Sequence, residues 1–305
     1  APVADDPGLA TGDAPAALTV TVGMGGALLD RLGLPRPAAL DDLPDFEGDQ
    51  IDRERSDGDL VVQLCADDPT VLAQADRVLQ QVAAPVATPR WQDAGFQGTG
   101  ARRDRRTTRN LMGQLDGTNN TTTGDQTVGG PVWVDVDDPV WAGGSYLVFR
   151  RIRMLLERWE ATPVTEQEQV IGRHKVSGAP LGSTRETDNV DLAARHHDGS
   201  PVIPAHSHVR LSTPGPGEQM LRRGYSYRAG MLPDRSTDQG LLFLSYQRDP
   251  RSSFVPVQRR LAAHDALNEF TLTTGSGLYA VLPGTTDPTD WLGRRLLTQT
   301  GSSPR

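Results

Sequence analysis

Asp116 lies between two glycines in Gly113-Gln114-Leu115-Asp116-Gly117, with Thr118-Asn119 directly after it. Glycines on both sides let the chain bend sharply and pass close to a flat partner without Cβ atoms in the way. A carboxylate on such a turn can be aimed at a bound molecule. The same residues also describe an ordinary Asp-Gly surface turn, and the segment alone does not separate the two readings. Four other groups can do chemistry. His206 and His208 stand in Ala205-His206-Ser207-His208-Val209-Arg210-Leu211, and either imidazole can ligate a metal. Arg222 and Arg223 are neighbours in Met220-Leu221-Arg222-Arg223-Gly224-Tyr225-Ser226-Tyr227. On a strand their side chains face opposite sides, so only one can serve a given site.

These residues need a scaffold. Alternating apolar and β-branched residues predict strands over 17–23 and 59–66, and Trp91 to Phe96 predicts a third. A helix from about Pro69 to Val82 is predicted between the second and third, with Asp68 or Thr70 as its cap. A short helix is expected over 27–32, and 1–16 is a Pro/Gly/Ala/Asp-rich lead-in. A break near Gly130 separates an N-terminal half, 1–130, from a C-terminal half, 131–305. In the second half, strands are predicted over 143–154, 220–227, 240–247 and 278–282. Helices are predicted over 165–171, where Thr165 and Glu168 have capping-box spacing, and over 256–270. The long stretch 172–204 is predicted to be a functional loop. Strand, helix, strand, strand, helix, strand is the order of a ferredoxin-like unit. The first half looks like the same unit without its opening strand and helix. The fold class is therefore α+β, two ferredoxin-like domains with antiparallel sheets and peripheral helices.

Bulk properties narrow the partners. The 305 residues are 36% hydrophobic and 23% charged, and no apolar run is long enough to span a membrane. A net charge of −8 disfavours nucleic acid and anionic membranes. The Arg-rich piece 101–106 is read as a solvated loop. Cys65 is the only cysteine, which excludes an intrachain disulfide and a Cys-based zinc site. The chain begins Ala1-Pro2-Val3 without an initiator Met or a signal-peptide pattern, and is read as processed or truncated.

Taken together and in order, the Asp116 turn, the His208 segment, the Arg222 segment, Phe243 to Pro250 and Asp265 to Glu269 resemble the dye-decolorizing peroxidases. These are haem enzymes built from two ferredoxin-like domains. Gly143 to Met154 and Ile171 to Gly182 add to the likeness, which runs from about Leu18 to Gly284 and is nearest the secreted actinobacterial branch. The resemblance implies haem b as cofactor, with His208 as the proximal ligand to its iron. Asp116 would be the distal acid-base residue and Arg222 the distal arginine. Gly117, Thr118 and Asn119 would line the haem face, Arg210 and Thr213 would lie near the propionates, and Asp265 would accept a hydrogen bond from the other nitrogen of His208. It implies reduction of hydrogen peroxide and oxidation of dyes, phenolics or other small aromatic reductants through a ferryl intermediate, in the extracellular space. A haem- or iron-handling protein of deferrochelatase type is the alternative, and a haem-free interaction module a third. Gln114-Leu115 replaces the aromatic and Lys common in relatives, which would alter pocket polarity. Thr213-Pro214-Gly215 replaces an Asn-Pro-Arg-like turn. The missing opening strand and helix imply a second polypeptide, a cleaved fragment or a small subunit, that fills the gap.

Overall fold

The computed structural model describes residues 16–98, 107–121, 130–285, 287 and 289–299. The Arg-rich piece 101–106 lies outside them. The chain runs β1 (Thr19–Met24), α1 (Gly26–Arg31), β2 (Leu60–Cys65) and α2 (Pro69–Ala83), then the short strands β3 (Thr108–Arg109) and β4 (Leu115–Asp116). The second half runs β5 (Ser145–Met154), α3 (Leu156–Ala161), α4 (Val164–Ile171), α5 (His208–Ser212), β6 (Leu221–Met231), β7 (Thr237–Gln247), α6 (Phe254–His264), β8 (Thr271–Val281) and α7 (Arg294–Gln299). Among the described residues no helix is long and apolar enough to cross a membrane.

Six strands form one sheet in the order β2-β1-β8-β5-β7-β6, every neighbouring pair antiparallel. Within it β8-β5-β7-β6 is the ferredoxin-like arrangement, in which the first strand of the unit lies between the third and the last. The central strand β5 is buried almost throughout, because Tyr146 to Phe149 pack into apolar clusters on both faces. Arg150 and Arg151, next along β5, are buried but paired. Arg150 meets Asp49 at 2.5 Å, and Arg151 meets Asp93 at 3.1 Å and Asp238 at 2.8 Å with its guanidinium over the Tyr227 ring. Two buried arginines are tolerated in a sheet centre only because each charge has a partner.

Three local expectations change. The stretch 91–96 is not a strand but contributes one bridge, Phe96 to Ser226 on β6. Its hold on the sheet comes from side chains: Trp91 stacks on Phe149 at 4.9 Å and donates its indole hydrogen to the Asp57 carbonyl at 2.7 Å. The capping box at α4 does not form, because Pro163 occupies the cap and Glu168 reaches forward to the Lys175 amide and His174 instead. The helix expected over 256–270 ends at His264, where Asp265 caps a separate 3₁₀ turn, Ala266–Glu269. By contrast Asp68 caps α2, accepting from the Thr70 amide at 2.7 Å. Among the described residues β2 pairs only with β1, α2 buries no side chain, and Val20, Leu60 and Val82 are exposed.

Candidate active site

The Asp116 motif lies on a hairpin separate from the main sheet, with Gly113 in its turn and Asp116 on the strand that follows. β3 and β4 share two residue pairs, Thr108 with Asp116 and Arg109 with Leu115. Asn110 closes the hairpin: its amide donates to the Gln114 carbonyl at 3.0 Å, and its side-chain oxygen accepts from the Met112 and Gln114 amides. Gly113 (φ +78°) and Gly117 (φ +112°) hold backbone conformations that other residues enter only with strain, so both glycines of the motif have a conformational reason. Arg109 anchors the hairpin to the loop below, donating to the carbonyls of Gly113, Lys175 and Val176. Gln114 is buried and Leu115 packs toward Gly178; neither lines the cavity in front of Asp116. The expectation that this pair sets pocket polarity is therefore corrected, since alternation along β4 turns Leu115 away from the side that Asp116 faces.

That cavity is open-sided, with a volume of about 150 Å³. Asp116, Gly117, Asn110 and Arg109 form one wall, Arg222, Gly224 and Ser226 of β6 another, with Leu241, Phe243 and Phe96 as the apolar part. Residues 222, 224 and 226 share one face of β6, which decides between the two arginines. Arg223 is on the opposite face, where its charge acts on Tyr225 and Tyr246. Arg222 is fixed by the chain that follows the motif. Its Nη2 donates to the Asn119 carbonyl at 2.8 Å, and its backbone exchanges two hydrogen bonds with the Asn120 side chain. Sequence reasoning missed Asn120; the one signal was a second amide directly behind the motif.

His208 opens the five-residue helix α5. Its Nδ1 lies 2.6 Å from Asp265 Oδ2, and the other Asp265 oxygen accepts from the Leu267 amide at 2.9 Å. Asp265 is buried and so held on both oxygens. With Nδ1–H given to the carboxylate, Nε2 keeps its lone pair, and it makes no hydrogen bond to a described residue. Burial pulls the His208 pKa down, but the Asp265 carboxylate, aided by Asp116 and opposed by Arg222, raises it above the ordinary value. Asp116 and Arg222 act on His208 through their charges, and His208 is not among the residues that line the cavity. His206 is exposed, and its carbonyl accepts from the Ala266 amide.

Three more of the expected site residues make hydrogen bonds within the protein. Arg210 donates Nε and Nη2 to the carbonyls of Leu192, Ile203 and Pro204, tying the long loop to α5. The Thr213 hydroxyl turns back to the Val209 carbonyl at 2.7 Å. Thr118 donates its hydroxyl to Glu186 at 2.8 Å.

A cavity lined by a carboxylate and a guanidinium, and a separate carboxylate-bound imidazole on the same α+β scaffold, are side chains of the kinds that haem chemistry uses. Family models agree: residues 1–97 match the N-terminal and 107–286 the C-terminal domain of Dyp-type peroxidases. The chain belongs to the Dyp-type peroxidase family. It is 47% identical to the dye-decolorizing peroxidase of Thermobifida fusca (strain YX) over 88% of its own length, and spans 65% of that protein. It is 38% identical to the deferrochelatase of Shigella flexneri over 93% of its length and 70% of that protein. Ferric DtpA from Streptomyces lividans superposes with a TM-score of 0.91 at 44% identity, covering 96% of this chain and 81% of that one. A DyP-type peroxidase from Cellulomonas bogoriensis gives 0.89 at 43%, with the same coverage.

Proposed function

We propose that this chain is a haem b peroxidase that reduces hydrogen peroxide and oxidises dyes, phenolics or other small aromatic reductants. The observation that carries it is the pairing of His208 Nδ1 with Asp265, while Nε2 of the same ring makes no hydrogen bond to a described residue, beside a cavity lined by Asp116 and Arg222. The donor set fits haem: one imidazole with a free lone pair, and Leu241 and Phe243 as apolar surface in the cavity wall. When bound, haem takes two oxidising equivalents from peroxide and passes them to reductants one electron at a time.

The protein residues do the rest. His208 Nε2 would hold the iron, and Asp265 keeps Nδ1 protonated, fixes the ring and makes Nε2 a stronger donor. Asp116 takes the proton that peroxide loses on binding and returns it to the outer oxygen, which then leaves as water. Arg222 stabilises the negative charge developing on that oxygen. Asn119 and Asn120 hold Arg222 in place. Gly117 lines the cavity, while Thr118 and Asn119 support it through their bonds to Glu186 and Arg222. Arg210 and Thr213 shape the backbone beneath the imidazole, and Arg210 Nη1 is the group left for a propionate. An optical spectrum before and after one equivalent of peroxide tests the reading: a Soret band that changes with peroxide supports it, and protein that takes up no haem overturns it.

The deferrochelatase reading has less support, because a protein that only handles haem has no use for the Asp116–Arg222 pair. The resemblance to the secreted branch supports an extracellular location, which fractionation of the producing cells checks. Among the described residues β2 has no partner on its outer edge and Val20, Leu60 and Val82 are exposed, which leaves room for a further segment along β2, whether of this protein or of a second polypeptide. Intact mass and denaturing gels of the native protein check that; a single 32.9 kDa species with full haem would argue against a second polypeptide.

A further inference from the structure

The hairpin that carries Asp116 is too short to hold itself. Two residue pairs, apart from the six-stranded sheet, make a ladder with little stability of its own. A proton-transferring carboxylate must nonetheless be held within about 0.5 Å of its working position. The closed end is secured by Asn110 and by Arg109. At the open end, among the described residues, one side chain from outside the hairpin bridges its two strands. A single oxygen of Glu186, Oε1, accepts from the hydroxyls of Thr107 and Thr118. Thr107 precedes the ladder partner of Asp116, and Thr118 follows Asp116 by two residues, so this oxygen joins the two chains where they would otherwise part.

Glu186 is itself anchored. Its carbonyl accepts from Arg173 Nη1 at 3.0 Å, and the same nitrogen donates to the Gly178 carbonyl at 2.7 Å. Arg173 is buried. A Cβ at Gly178 would collide with the Leu115 side chain and come within 3.2 Å of Glu186 Cγ, so glycine there lets the hairpin and Glu186 close on each other. Glu186 does not line the cavity.

We propose that Glu186 is a positioning residue for Asp116: its carboxylate tethers Thr107 to Thr118 and thereby sets where the proton-transferring group stands. The inference rests on the peroxidase reading of Asp116. The tether needs an acceptor oxygen, not a charge, so Gln can replace Glu and Ala cannot. The test compares haem-loaded wild type, E186A, E186Q and D116N by stopped-flow reaction with hydrogen peroxide, and follows amide hydrogen exchange over 107–118 with and without haem.

E186A is expected to react with peroxide roughly tenfold to hundredfold more slowly and to exchange faster in the hairpin. KM for the reductant should stay at the wild-type value, and E186Q should recover most of the rate and the protection. E186A at the wild-type rate overturns the proposal, as does E186Q as slow as E186A. D116N at the wild-type rate overturns the reading of Asp116 and the tether with it, whereas a slowed D116N beside an unaffected E186A removes the tether alone.

Discussion

The two sides of the site are held by different means. On the His208 side one charged contact of 2.6 Å fixes the functional group, and its acceptor Asp265 is buried and held again by a backbone amide. On the Asp116 side no such contact exists among the described residues. The carboxylate sits on a two-pair hairpin closed from within by Asn110, tied to the neighbouring loop by Arg109 and bridged from outside by Glu186. A ligand must resist displacement, and a short charged contact in a packed setting provides that. A proton shuttle must be placed accurately yet meet an incoming molecule, and a braced hairpin at the mouth of an open cavity allows both. The first arrangement concentrates its dependence on one partner, and the second spreads it over many.

If that contrast is right, the largest effect comes from His208→Ala, which should abolish haem uptake; an intact Soret spectrum would remove His208 as the ligand. Next are Arg222→Leu and Asp116→Asn. Each should slow the reaction with peroxide by roughly 10²–10⁴-fold while haem stays bound, with Arg222→Leu at least as slow. Loss of haem in either would mean that the two sides are not separable. Asp265→Asn should weaken haem binding by about 10–100-fold, read by titration of the apoprotein, with a smaller effect on the peroxide step of what remains loaded.

The smallest effect on the site comes from Asp238, far from both. Asp238→Ala leaves Arg151 with one buried partner and should cost about 3 kcal/mol of stability in denaturant unfolding, with the peroxide rate unchanged. Burial works to raise the Asp238 carboxyl, but the hydrogen bond and charge of Arg151 outweigh it and hold the pKa below the usual 3.8. Its stabilising contribution is therefore complete above the unfolded-state value and is lost as pH falls through the lower folded one. Wild type should lose stability on acidification below about pH 4, and the variant should lose less over the same window.

Much of the scaffold was legible because its signals are local. The continuous apolar runs of β5 and β7 and the order of elements in the second half follow from residue patterns, and Asp68 is a helix cap that looks like one. The site was legible only in part. Residue types nominated Asp116, the two histidines and the two arginines, and strand alternation framed the choice between Arg222 and Arg223. His208 and Asp265 stand 57 positions apart, and neither carries a local mark of the contact. Asn120 and Glu186 gave still less signal, since their importance lies in which distant hydroxyl or amide they meet. The Thr165–Glu168 spacing misled for a related reason: a proline took the cap and freed Glu168 for another partner.

The pairing of β1 with β8 bears on how the protein is made. Gly23 and Met24 meet Val281 and Ala280, so the first strand of the sheet waits for the last. Strand β5 likewise lies between β7 and β8, and β8 is the final strand synthesised. During translation β1 and β2 can form a hairpin early, but the sheet cannot close until residue 281 has left the ribosome. Pairings so far apart in sequence fold slowly and leave strand edges open in the meantime. The growing chain therefore depends on protection from premature association, and Asp265, which orients His208, takes its place only with the last fifth of the chain.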